Sequence, residues 1–165
     1  MKTILKDHAC YVDVGTVETE IAGETKNLPK PRLVMLAGKV AYRNFSSAGI
    51  PVQALLDTGN DVTILKPQKL REIEKSLGFR LPLQAKIRYY ENAELQPTFD
   101  LAFIFPGDHA YFSTFGIVTP RGWNFDVADM WLGQDLLNQL QVTYDGVNRT
   151  VTVVDPNPMS SGTSA

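Results

Sequence analysis

Only one cysteine, Cys10, occurs in the 165 residues, so the chain can close no internal disulfide and build no zinc site on thiolates. Histidine is equally scarce. His8 and His109 stand about a hundred residues apart, so no helix presents two imidazoles to one metal ion. No apolar run approaches the length of about eighteen residues that a membrane-spanning helix needs. The stretch Met1-Lys2-Thr3-Ile4-Leu5-Lys6-Asp7-His8 loses its apolar character too early for a secretory leader. A surplus of one charge is missing too: 16 Lys and Arg stand against 18 Asp and Glu, a net charge of -2. That balance argues against electrostatic binding of nucleic acid. These absences predict a soluble cytoplasmic protein that needs no metal, membrane or nucleic acid.

What the chain does have is apolar residues, 44% of the total, enough for a single packed core. Arg32 to Tyr42 and Ile50 to Leu56 read as two strands around a turn. Val62 to Leu65, Ala85 to Tyr90, Phe99 to Phe105 and Ala110 to Val118 are further strand candidates. Val142 to Tyr144 and Thr150 to Val154 flank a turn at Asp145-Gly146 and predict a hairpin. Cys10 to Ile21 alternates in places and predicts one or two strands, and Gly23 to Pro31 reads as a turn-rich linker. Pro67 to Leu77 predicts a helix, with Pro near its start, Leu70, Ile73 and Leu77 at helical spacing, and Gly78 just beyond. Gly133 to Leu140 predicts a shorter one. Many short strands between turns point to an all-β domain, a small closed barrel with one or two short helices. Residues 1–31 form an extension, 32–155 the domain, and 156–165 a flexible tail.

The chemistry concentrates in Ala54-Leu55-Leu56-Asp57-Thr58-Gly59-Asn60-Asp61-Val62-Thr63-Ile64-Leu65. An apolar strand delivers one carboxylate at its end, followed at once by a hydroxyl and a glycine. A carboxylate so placed can act as a general base on water. A plain strand-to-turn junction has the same composition, so the tripeptide alone is weak. Downstream lies Met130-Trp131-Leu132-Gly133-Gln134-Asp135-Leu136-Leu137, apolar residues, a glycine and a helix start.

The two segments together resemble the retropepsin-like aspartic proteases, whose Asp-Thr-Gly loop is followed by two hydrophobic residues, a glycine and a short helix. The resemblance is close over Ala54 to Leu65 and Trp131 to Leu137 and looser elsewhere. It implies that Asp57 is the catalytic aspartate, with Thr58 and Gly59 completing the catalytic loop. It implies that the Thr58 hydroxyl bridges to the partner's loop. It further implies that Leu55, Gly59, Asp61 and Trp131 contact substrate, together with Tyr89 and Tyr90 beside a flap from about Arg88 to Gln96. Gly133 would let its strand pass close behind the loop. Since one chain carries one such aspartate, the resemblance implies a homodimer that hydrolyses peptide or polyprotein substrates, without cofactor. Thr150 to Val154 or part of Cys10 to Ile21 would then pair with the second chain.

Three features depart from that pattern. Asn60 stands where Ala or Ser is usual, Gln134 replaces the usual Arg that would pair with Asp61, and the flap has no glycine. Asn60 and the glycine-free flap favour the alternative, a non-catalytic dimerisation or peptide-binding module of the same fold, while the intact Asp57-Thr58-Gly59 favours the enzyme. Other candidates are weaker. Asp126, Asp129 and Asp135 read as a solvated acidic face, since their spacing fits no calcium loop. Asp108-His109 reads as a turn and Cys10 as a packing residue. The sequons Asn44-Phe45-Ser46 and Asn148-Arg149-Thr150 read as accidental.

Overall fold

The computed structural model describes residues 1–12, 16–29, 33–42, 49–88, 95–117 and 128–158. In chain order these form β1 (Lys2–Ala9), β2 (Tyr11–Val12), β3 (Thr16–Ile21), β4 (Glu24–Pro29), β5 (Leu33–Tyr42), β6 (Ile50–Leu56) and β7 (Ile64–Leu65). Then come α1 (Pro67–Leu77), β8 (Ala85–Ile87), β9 (Gln96–Phe105), β10 (His109–Ile117), β11 (Met130–Leu132), α2 (Gln134–Leu137), β12 (Gln141–Asp145) and β13 (Thr150–Asp155). The described residues are mostly β with two helices, as the composition of short strands and turns predicts.

Eight strands form one sheet in the order β2-β5-β6-β11-β7-β10-β9-β8. β5, second in that order, also pairs antiparallel with β9, seventh, from Lys39 opposite Ile104 to Tyr42 opposite Leu101. The sheet therefore curls back on itself. It is not closed as a whole, because β2 and β8 stand at its two ends. Alternation decides which side chains go inward. In β6, Val52, Ala54 and Leu56 enter the main core, while Pro51 and Gln53 are exposed. β9 is buried from Leu101 to Phe105 on both faces, with Phe103 and Phe105 meeting edge to face at 4.8 Å. α1 covers this core through Ile73, Leu70 and Leu77. It starts with Pro67, which fits the first helical position, and ends where Gly78 takes a left-handed conformation (φ 77).

The N-terminal segment differs from its sequence reading. β1 pairs antiparallel with β13, which pairs on its other side with β12, in a separate three-stranded sheet. Irregularities between Thr3 and Leu5 and between Leu5 and His8 break the period of two, so the adjacent Ile4 and Leu5 are both buried. Because β13 lies between β1 and β12, both edges of Thr150 to Asp155 are already paired. The strand anticipated as a partner edge is therefore the sheet's centre. Residues 24–29, anticipated as a linker, form β4, paired with β3 around a turn at Ala22 and Gly23, both at positive φ. From Glu18 to Asn27 nearly every residue of this hairpin is exposed, so neither face carries the apolar row that marks a strand in sequence. Cys10 packs into the main core, and burial pushes its thiol pKa up. No helix of the described residues is long and apolar enough to cross a membrane.

Candidate active site

β6 carries Asp57 just past its last residue, and β11 runs parallel beside it with Met130 opposite Ala54 and Leu132 opposite Leu56. The pairing continues one step further: the Asp57 N–H donates to the Leu132 carbonyl at 3.0 Å. Strand hydrogen bonding thus extends to the backbone of Asp57 itself. The chain then turns. The Gly59 N–H donates to Asp57 Oδ1 at 3.0 Å, and the Asn60 N–H to the Asp57 carbonyl at 3.3 Å. This side-chain-to-backbone closure is the turn that Asp favours. Asp57 is half-buried, while Thr58, Gly59 and Asp61 are exposed.

The start of α2 grips this loop. A helix leaves its first N–H groups without partners inside the helix. Here the Gln134 N–H donates to the Asn60 carbonyl at 2.8 Å and the Asp135 N–H to the Asp61 carbonyl at 3.1 Å. The Gln134 side chain adds a third bond, Nε2 to the Thr58 carbonyl at 2.7 Å. The residue that the family resemblance would have facing Asp61 thus reaches the Asp57 loop's backbone instead.

Beneath the loop, the fully buried Thr63 donates its hydroxyl to Asp135 Oδ1 at 2.7 Å and accepts the Gly133 N–H at 3.0 Å. Asp135 Oδ1 also accepts the Leu136 N–H at 2.9 Å. Gly133 passes so close that a Cβ there would lie 2.4 Å from the Val62 carbonyl carbon and 2.8 Å from the Thr63 nitrogen. Thr63 escaped the sequence reading, and Asp135 was misread as part of a solvated acidic face. Asp129 was misread likewise. It donates its N–H to the Gln53 carbonyl at 2.8 Å and accepts the Gln53 N–H at 2.9 Å, tying β6 to the entry of β11. Asp126 lies outside the described residues. A backbone-like Asp-to-strand bond and a hydroxyl-to-carboxylate bond across 72 residues leave no local mark in sequence.

Replacing Thr63 by Val keeps the shape and removes the hydroxyl. Two hydrogen bonds are lost, one buried and one part-buried, and the Gly133 N–H is left without its acceptor, so stability should fall by about 2–3 kcal/mol. Urea unfolding measures it. A loss below about 0.5 kcal/mol would mean the Thr63 hydroxyl does not hold this segment.

Leu55 and Trp131 lie on the sheet face opposite the main core. Leu55 is buried in a small cluster with Met35 and Ala128, against which Leu33 and Trp131 pack. Tyr89, Tyr90 and residues 91–94 of the expected flap lie outside the described residues. Among the described residues no group of three His, Cys, Asp or Glu side chains is placed to hold a metal ion. A separate cavity of about 590 Å³, lined in part by His109, Tyr111 and Asp155, includes no residue of the Asp57 loop. There, burial and then the hydrogen bond to Asp155, 2.8 Å from the Tyr111 hydroxyl, push the phenol pKa well up.

No family model matches the chain, and no curated protein matches it. Among solved structures it is similar to a retropepsin-like aspartic protease from Rickettsia conorii, with 17% identity, 74% of this chain and 81% of that chain covered, and a TM-score of 0.45. It is also similar to the retroviral protease-like domain of Ddi1 from Leishmania major, with 14% identity, 74% and 89% covered, and a TM-score of 0.45. At these identities and TM-scores neither protein's activity transfers to this chain.

Proposed function

We propose that this chain is one protomer of a homodimeric aspartic endopeptidase of the retropepsin type, with Asp57 as its catalytic carboxylate. The observation that carries this reading is the loop itself. Asp57 sits at the end of a core strand, its carboxylate is oriented by the Gly59 N–H, and α2 holds the carbonyls of Thr58, Asn60 and Asp61. The chemistry requires a second carboxylate, supplied by Asp57 of the partner subunit across a two-fold axis. As is general for aspartic proteases, two carboxyl groups this close share one proton. The ionised one takes a proton from water, the water oxygen attacks the scissile carbonyl carbon, and the protonated one donates to the carbonyl oxygen. Collapse of the tetrahedral diol, with a proton passed to the amine, breaks the C–N bond. We take the β5–β9 pairing as the seam of a barrel, at the end of β6 away from this loop.

Substrate would lie as an extended strand, its backbone meeting Gly59 and Asp61 and its side chains alternating into pockets. Leu55 and Trp131 make the central pockets apolar, so cleavage is expected between two hydrophobic residues. Tyr89 and Tyr90 are proposed to contact it as well. The second reading, a peptide-binding module without turnover, is favoured by Asn60 in place of a small residue.

A peptide library assayed across a dilution series, alongside analytical ultracentrifugation, tests the proposal. Cleavage should be blocked by a statine-type transition-state mimic. Specific activity should fall in step with loss of the dimer, because a lone protomer holds half of the pair. Constant specific activity in a monomer would overturn the shared pair. Peptide binding without cleavage would decide for the second reading.

A further inference from the structure

Gln134 touches no reacting atom in the proposed mechanism, yet it lies one peptide unit from Asp57. The Thr58 carbonyl, which accepts from Gln134 Nε2 at 2.7 Å, and the Gly59 N–H, which donates to Asp57 Oδ1 at 3.0 Å, belong to the same peptide group. That group is planar and rigid, its C=O and N–H pointing in opposite directions. Gripping its oxygen therefore fixes the direction of its hydrogen. We propose that Gln134 is a positioning residue that aims the Gly59 N–H at the Asp57 carboxylate by holding the Thr58–Gly59 peptide plane. The proposal rests on the aspartic-protease reading of this loop and deepens it.

Two observations make the side-chain bond more than a local convenience. The Gln134 backbone is itself anchored, since its N–H donates to the Asn60 carbonyl at 2.8 Å, so the carboxamide reaches out from a fixed point. Thr58 and Gly59 are both exposed in the single chain, so packing within the protomer does not hold this plane against rotation. A hydrogen bond to an amide oxygen also polarises the group and strengthens its N–H as a donor.

Two variants test it. Gln134→Met keeps the length and removes the donor. Gln134→Glu keeps the shape; its ionised carboxylate cannot donate to a carbonyl, whereas its protonated form can. In the Met variant, amide exchange at Gly59 should quicken about fivefold, the worth of one hydrogen bond. Exchange at Leu101 and Ile104 in the core should stay as in the parent. On peptide substrate, kcat should fall at least about fivefold, with KM within about twofold. The ratio of Glu-variant to parent activity should rise as pH drops through the ordinary range of a glutamate, about 4 to 5, while the Met ratio stays flat. A merely structural role would not produce that difference. Unchanged Gly59 exchange in the Met variant, or a Glu ratio flat with pH, would overturn the proposal. If the parent cleaves no peptide, the protease reading fails on its own, and the exchange measurement still decides whether Gln134 holds the plane.

Discussion

Replacing Asp57 by Asn is expected to lower peptide hydrolysis by about a thousandfold or more while leaving the fold in place. Asn matches Asp in shape, and its Oδ1 can still accept the Gly59 N–H that closes the turn. The backbone bond from residue 57 to the Leu132 carbonyl is untouched by the side chain. What is lost is the capacity to take a proton from water. In a homodimer the substitution removes both carboxylates at once, so no half-active site remains. Turnover and thermal unfolding, measured on the same preparation, separate the two effects. Activity within about tenfold of the parent would remove Asp57 from the catalytic role.

The second large effect concerns stability. Gly133→Ala should destabilise the chain by about 3 kcal/mol or more, lowering the melting temperature by roughly 6–12 °C. The reason is not conformational, because Gly133 sits at φ -89, ψ 180, which any residue adopts. It is proximity: the atoms a Cβ would meet, at 2.4 to 2.8 Å, are the backbone of Val62 and Thr63. Backbone cannot swing aside as a side chain does. Relief would have to come from sliding β11 away from the loop, which breaks the Gly133-to-Thr63 bond and loosens the α2 contacts with Asn60 and Asp61. Gly146→Ala is the control, since nothing lies within 4 Å of its Cβ position. Equal melting temperatures for the two variants would refute the close approach.

How much of this was legible in sequence depended on whether the cause was local. The helix from Pro67 to Leu77 was, because its start, its apolar spacing and its stop all lie within a dozen residues. So was the strand ending at Asp57, where an apolar run meets a turn. β1 was not, because bulges bury two adjacent residues, Ile4 and Leu5, and erase the alternation that announces a strand. β4 was not, because a hairpin exposed on both faces has no apolar row to show. Within the loop, the placements of Asp57 at a strand end and of Gly133 before a helix were marked by their neighbours. Those of Thr63, Gln134 and Asp135 were not, since each depends on a bond to a segment more than seventy residues away.

The pairing of β1 with β13 sets the order in which the molecule can be completed. Lys2 lies opposite Asp155, so β1 cannot complete its sheet until β13 has been made. At ribosomal rates of about 5–20 residues per second, that interval is roughly 8–30 s. Throughout it Ile4 and Leu5 have no β13 to pack against, and β12 has no centre strand. Closing a loop of this length also slows folding, as contacts distant in sequence do generally. β1 thus stays unpaired and partly apolar until β13 emerges, a window in which a strand from another chain can pair with it instead.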